Sequence, residues 1–85
     1  MNSPLPGESG CELMERLAED LRKSIKKTEK QAADLAHRIA VLEAQSPPDE
    51  QQIKALKQTL AVVEAKLEEE RRALADLETV ISENC

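Results

Sequence analysis

The chain has 85 residues, a net charge of −5 and no aromatic residue. A chain of this length forms one small domain at most. Without aromatic side chains, it lacks base-stacking platforms and the usual anchors of a large core. The acidic balance disfavours nucleic acid or an anionic membrane as the main partner, and no stretch approaches the roughly 18 apolar residues of a membrane span.

Residues 1–9 contain prolines and a glycine without a periodic apolar pattern, so we predict a flexible N-terminal leader. Ser9 and Glu12 have the spacing of a capping box, in which each side chain binds the backbone N–H of the other residue. Helix 1 is therefore expected to begin at Gly10 and to extend over residues 10–45.

Helix 1 carries apolar residues that recur alternately three and four positions apart. This spacing is typical of the contact line of a coiled coil, here called the seam. The seam positions of helix 1 are Cys11, Met14, Ala18, Leu21, Ile25, Thr28, Ala32, Leu35, Ile39 and Leu42.

The stretch Ser46-Pro47-Pro48-Asp49 interrupts the helical pattern at mid-chain. Proline lacks a backbone N–H and clashes with the preceding helical turn, so Pro47 and Pro48 cannot lie inside a helix. Ser46 and Asp49 have the spacing of a second capping box, which would begin helix 2 at about Pro47. We assign the turn and cap to residues 46–49 and helix 2 to residues 50–85.

Helix 2 repeats the same spacing. Its seam positions are Ile53, Leu56, Leu60, Val63, Leu67, Glu70, Leu74, Leu77 and Ile81. Folding at the turn sets Leu42 level with Ile53. Further from the turn, each seam residue of helix 2 faces one of helix 1, and the two residue numbers in every facing pair add up to the same total. A turn this short makes the helices antiparallel. The sequence therefore predicts an all-α fold, an antiparallel two-helix coiled-coil hairpin that forms one domain over residues 10–85.

Two seam positions, Thr28 and Glu70, are polar. Glu70 is predicted to face Ile25, where a carboxylate is costly unless it reaches solvent or a cation. Arg22 or Lys26 could provide that cation, or Glu70 could lean out at an open seam. Alternatively, a polar seam residue can set the register or oligomeric state of a coiled coil.

The hairpin also brings together opposite charge runs. Residues 22–30 are basic and face the acidic residues 64–70 across the predicted seam. We interpret them as intramolecular counterparts, with a phosphate or membrane patch as the alternative. Beside the seam, the residue of helix 2 nearest to Glu29 is Glu64, which has the same charge. The oppositely charged Arg71 lies one step further along helix 2.

Cys11 and Cys85, the only cysteines, lie about equally far from the turn, at the open end of the hairpin. We hypothesise a disulfide between them, worth roughly 4–5 kcal/mol by loop-closure entropy. The alternatives are a bridge between two chains, free thiols in a reducing compartment, or an engineered clamp on a fragment of a larger protein. A real bridge would indicate an oxidising compartment or engineering; the sequence does not otherwise indicate a compartment.

A set of apolar residues flanks the seam on one side, and we call it the docking face. Its members are Leu13, Leu17, Ala73, Val80 and Val62, with Ala55 continuing it towards the turn. An apolar band beside a complete seam often marks the site where another helix packs. We expect a homodimer that forms a four-helix bundle, or a host protein that binds this face. The alternative is that these residues only thicken the apolar packing at the open end, around the cysteines.

No residue pattern indicates a catalytic, cofactor-binding or metal site, and His37 is predicted to be solvated. The sequence therefore favours a non-enzymatic structural and protein-interaction module that is clamped at its open end. The alternative functions are a small nucleic-acid-associated or polymerase-associated regulator acting through residues 22–30, and a co-chaperone of secretion or assembly.

Overall fold

The computed structural model describes residues 7–85, which form two long α-helices that pack against each other. Helix α1 spans Gly10–Glu43 and helix α2 spans Glu50–Asn84. The described residues contain no strand, so the predicted helical hairpin is confirmed. The molecule measures 60 × 24 × 15 Å, as expected for two helices side by side. Residues 1–6 of the predicted leader lie outside the described residues.

The beginning of α1 is held by the predicted capping box. Ser9 Oγ accepts a hydrogen bond from the Glu12 backbone N–H at 3.1 Å, and Glu12 Oε1 accepts one from the Ser9 N–H at 3.4 Å. Just before the cap, Arg16 donates from Nε and Nη2 to the two carboxylate oxygens of Glu8, at 3.0 and 3.1 Å. These bonds tie residues 8 and 9 to the first turns of α1.

Helix α2 begins at Glu50, as assigned from the sequence, but its N-cap is not the predicted one. The N-cap is Asp49, whose Oδ1 accepts a hydrogen bond from the Gln52 N–H at 3.1 Å, so the helix does not begin at about Pro47, as a cap at Ser46 would require. The predicted cap at Ser46 is wrong because a residue that precedes proline is driven out of the helical region. Pro47 precedes Pro48 and therefore cannot occupy the first helical position.

The seam forms the core of the hairpin. Every predicted seam residue is buried or half-buried, and every other residue of α2 is exposed. The fully buried positions are Ala18, Thr28, Ile39, Ile53 and Leu67. The most deeply buried of these, Ala18 and Thr28, have small side chains, which let the two backbones approach closely. The core is thus a single line of contacts, and each helix leaves most of its surface uncovered.

Candidate functional site

The ion pairs that join the two helices lie on one broad face of the hairpin. Three ion pairs join α1 to α2: Arg22 to Glu78 at 3.3 Å, Glu29 to Arg71 at 2.9 Å and Glu43 to Lys57 at 3.2 Å. Their residue numbers add up to the same total, and each residue directly follows a seam residue. All three pairs therefore lie on one face, which we call the ion-paired face. Each exposed pair contributes about 0.2–1 kcal/mol.

The docking face lies on the opposite side of the seam. In the seven-residue repeat, its residues occupy the third and seventh positions, whereas the ion-paired residues occupy the fifth. Leu13 and Leu17 are half-buried, and Ala73 is exposed. Val80 is 42% exposed and Val62 is 70% exposed. None of the ion pairs between α1 and α2 that involve described residues crosses this face.

Val41 is a further apolar residue of the docking face, and the sequence reasoning missed it. It is 48% exposed and occupies the same position of the repeat as Leu13 and Val62. Among the described residues, the exposed large hydrophobic side chains are Val41, Val62 and Val80, and all three lie on the docking face. Their repeat position is the signal that could have identified Val41. Scattered exposed valines are ordinary, but these three share one face of the hairpin.

The polar seam residue Glu70 is held by a residue that sequence reasoning did not assign to it. The Ser24 hydroxyl donates to Glu70 Oε2, and Thr28 Oγ1 donates to the Ser24 carbonyl oxygen at 3.0 Å. Arg22, one of the two predicted partners, instead binds Glu19 and Glu78. A side chain on α1 directly across the seam therefore takes the role that was considered for a cation.

Burial and hydrogen bonding act in opposite directions on Glu70. Burial alone would raise the pKa of the Glu70 carboxyl. The hydroxyls of Ser24 and Thr28, together with the positive charge of Lys66, outweigh that effect and hold this pKa below its usual value. Oε1 of the same carboxylate is buried and has no hydrogen-bond partner among the described residues. The Glu70 carboxylate is thus charged at neutral pH, but only one of its two oxygens accepts a hydrogen bond from a described residue.

A disulfide bond joins Cys11 to Cys85 within the chain. Their Cα atoms are 6.0 Å apart, in the ordinary range for a bridged pair. Of the possibilities considered from the sequence, the observed one is therefore the bridge within a single chain. The described residues contain no free cysteine. The bridge links the first turn of α1 to the residue that follows α2. It thus clamps the end of the hairpin where Leu13 and Val80 lie.

Other kinds of site find little support in residues 7–85. No group of three or more His, Cys, Asp or Glu side chains converges there as metal ligands would. Neither α1 nor α2 has a stretch that is long and apolar enough to cross a membrane. Comparisons with protein-family models, with curated proteins and with solved structures gave no match.

Proposed function

We propose that the chain is a non-enzymatic structural and interaction module, a clamped helical hairpin that associates through its docking face. The observation that carries this proposal is the contrast between the two faces. One face is bridged by three ion pairs, and the other displays Val41, Val62 and Val80 to solvent. Exposed apolar residues gathered on one side of a small protein are typical of an interaction surface.

The spacing of the docking face favours a helical partner. Its residues recur at fixed positions of the seven-residue repeat on both helices, so they form ridges that another pair of helices can pack against. The broad side of the hairpin, 60 Å by 24 Å, is large enough for the about 800 Å² per partner that stable complexes commonly bury. Self-association would convert the single seam into the closed core of a four-helix bundle.

The disulfide supports the same function, because it pre-organises the surface. The dense end of the docking face is built from the start of α1 and the end of α2, which would fray if they were free. The bridge from Cys11 to Cys85 holds these two ends together. A partner therefore meets Leu13, Leu17 and Val80 already in place and does not bear the cost of ordering them.

The test compares Val80→Glu with a matched substitution on the other side of α2, Ala75→Glu. Both residues are exposed and lie near the end of the same helix, so both variants add one charge at similar cost to folding. We expect the wild type and Ala75→Glu to be dimers in sedimentation velocity, and Val80→Glu to be a folded monomer by circular dichroism. A monomeric wild type, or equal association of all three proteins, would refute the proposal.

A further inference from the structure

The apolar residues of the docking face lie towards both ends of the hairpin. Leu17 and Val80 lie near the disulfide, and Val41 and Ala55 lie near the turn. Charged and polar side chains occupy the middle of the face. A second hairpin turned end for end would therefore set the disulfide end of one copy against the turn end of the other.

We infer that the partner on the docking face is a second copy of this chain, packed antiparallel about a two-fold axis that crosses the face at mid-length. This inference rests on the function proposed above and specifies its geometry. In this arrangement α1 lies against α1 of the second copy, and α2 lies against α2. Because the axis is two-fold, each contact occurs twice.

The docking-face residues of α2 are complementary to themselves in this arrangement. A single alignment of α2 with α2 of the second copy pairs all ten of these residues. In each pair, one residue comes from each copy, and the two residue numbers add up to the same total. The pairs are Val80 with Ala55, Ala73 with Val62, Lys66 with Glu69, Thr59 with Asp76, and Gln52 with Glu83. Two pairs are apolar, one is an ion pair, and two set a neutral donor against a carboxylate. None places like charges together.

The docking-face residues of α1 are complementary in a similar register. Leu17 pairs with Val41 and Arg38 pairs with Asp20, while Ser24 faces Asp34 and Gln31 faces Lys27. Val41 and Arg38 also line a shallow surface groove with Leu42 and Gln52, close to the turn. Leu17 of the second copy would fill this groove, while Asp20 one turn further along reaches Arg38.

The two registers agree on the position of the axis. Contacts along α1 are centred on Glu29, and contacts along α2 are centred between Leu67 and Glu68. The seam of the hairpin sets Thr28 level with Leu67, so the two centres lie within two residues of the same height. At about 1.5 Å per residue, that difference is roughly 2–3 Å. Two helices with unrelated sequences thus indicate one axis.

The parallel alternative, with both disulfide ends together, fits less well. It sets α1 of one copy against α2 of the other at the same height. Lys27 would then approach Glu69 of the second copy, which is favourable. However, Asp20 would approach Asp76, and Leu13 would approach Glu83. Like charges in contact and an apolar residue against a carboxylate both oppose association. Charge complementarity therefore selects the antiparallel dimer.

Lys66 and Glu69 provide the experiment, since the inference places them in contact close to the axis. Lys66→Glu sets two carboxylates together at both contacts, and Glu69→Lys sets two ammonium groups together. We expect each variant alone to dimerise about tenfold more weakly than the wild type. Mixing the two restores opposite charges at both contacts, so the mixture should form a 1:1 heterodimer nearly as tight as the wild-type dimer.

The matched control uses Lys30→Glu and Glu64→Lys, which cause the same changes in net charge at exposed positions off the docking face. Native mass spectrometry, with one variant labelled with ¹⁵N, counts homodimers and heterodimers in each mixture. The control pair should mix statistically. Statistical mixing by Lys66→Glu and Glu69→Lys would overturn the antiparallel geometry, while the Val80→Glu result would still decide the docking face. A monomeric wild type would overturn both.

Discussion

The disulfide is predicted to supply a large share of the stability of this hairpin. Reduction, or the substitution Cys85→Ser, opens a loop whose ends are 74 residues apart. The chain-entropy relation gives about 4.4 kcal/mol at 25 °C for a loop of that length. A small domain is stabilised by only about 5–15 kcal/mol in total. The open hairpin should therefore be marginal, because only one line of seam contacts remains.

Urea unfolding followed by circular dichroism at 222 nm measures this loss. The chain has no tryptophan or tyrosine, so intrinsic fluorescence offers no signal, whereas the two long helices give a strong one. We expect Cys85→Ser to lower the free energy of unfolding by about 4 kcal/mol. The free energy of unfolding should also fall more steeply with urea concentration, because the unfolded chain without its bridge is less compact.

Reductant provides the control. It should bring the wild type to the midpoint of the Cys85→Ser variant and leave that variant unchanged. A loss below about 1 kcal/mol would refute the reasoning, because loop closure over 74 residues requires several times more. In that case the seam and the proposed dimer interface, and not the bridge, would hold the two helices together.

Two further predictions concern the polar seam and the helix caps. Ser24→Ala removes the hydrogen bond to Glu70 and should destabilise the hairpin by about 1–2 kcal/mol at pH 7. A carboxyl with a lowered pKa stabilises the fold above the ordinary glutamate value of about 4.3, and this stabilisation is lost as the pH falls through the folded pKa. The effect of Ser24→Ala should therefore vanish in acid, and an equal loss at pH 3 and pH 7 would contradict the role assigned to Ser24. Asp49→Ala should cost about 1 kcal/mol through loss of the N-cap of α2. Ser46→Ala should change the thermal midpoint little, and the reverse order of these two variants would restore Ser46 as the cap.

The local physics of helices explains why most of the fold could be read from the residue order. A spacing of three and four residues puts the seam on one side of each helix, and proline cannot continue a helix. Facing seam residues on the two sides of the turn have residue numbers that add up to one constant total. The antiparallel register could therefore be predicted from the sequence alone. The proximity of Cys11 and Cys85 followed from the same count, and the structure decided for a bridge within the chain over the alternatives. The N-cap of α2 was misjudged because Ser46 and Asp49 are both good caps, and the second proline decides between them.

The docking face was predicted only in part. Leu13, Leu17 and Val80 stood out as apolar residues beside the seam at the open end, but Val41 did not, because it lies at the other end of α1. Charge runs indicated that the helices attract each other without indicating which face the ion pairs occupy. Long charged side chains can reach several partners, so only their positions in the folded hairpin show that Arg22, Glu29 and Glu43 all close the same side.

The residue order by itself thus determined the helices, the turn and the seam, and it put both cysteines at the same end of the hairpin, because each depends on spacing along the chain. The tertiary structure decided the features that depend on which side chains meet across the seam. It gave Glu70 a hydroxyl partner in place of a cation, and it separated the ion-paired face from the face that exposes Val41, Val62 and Val80. Spacing specifies the side of a helix to which a residue belongs, but contacts between side chains also depend on their rotamers and reach.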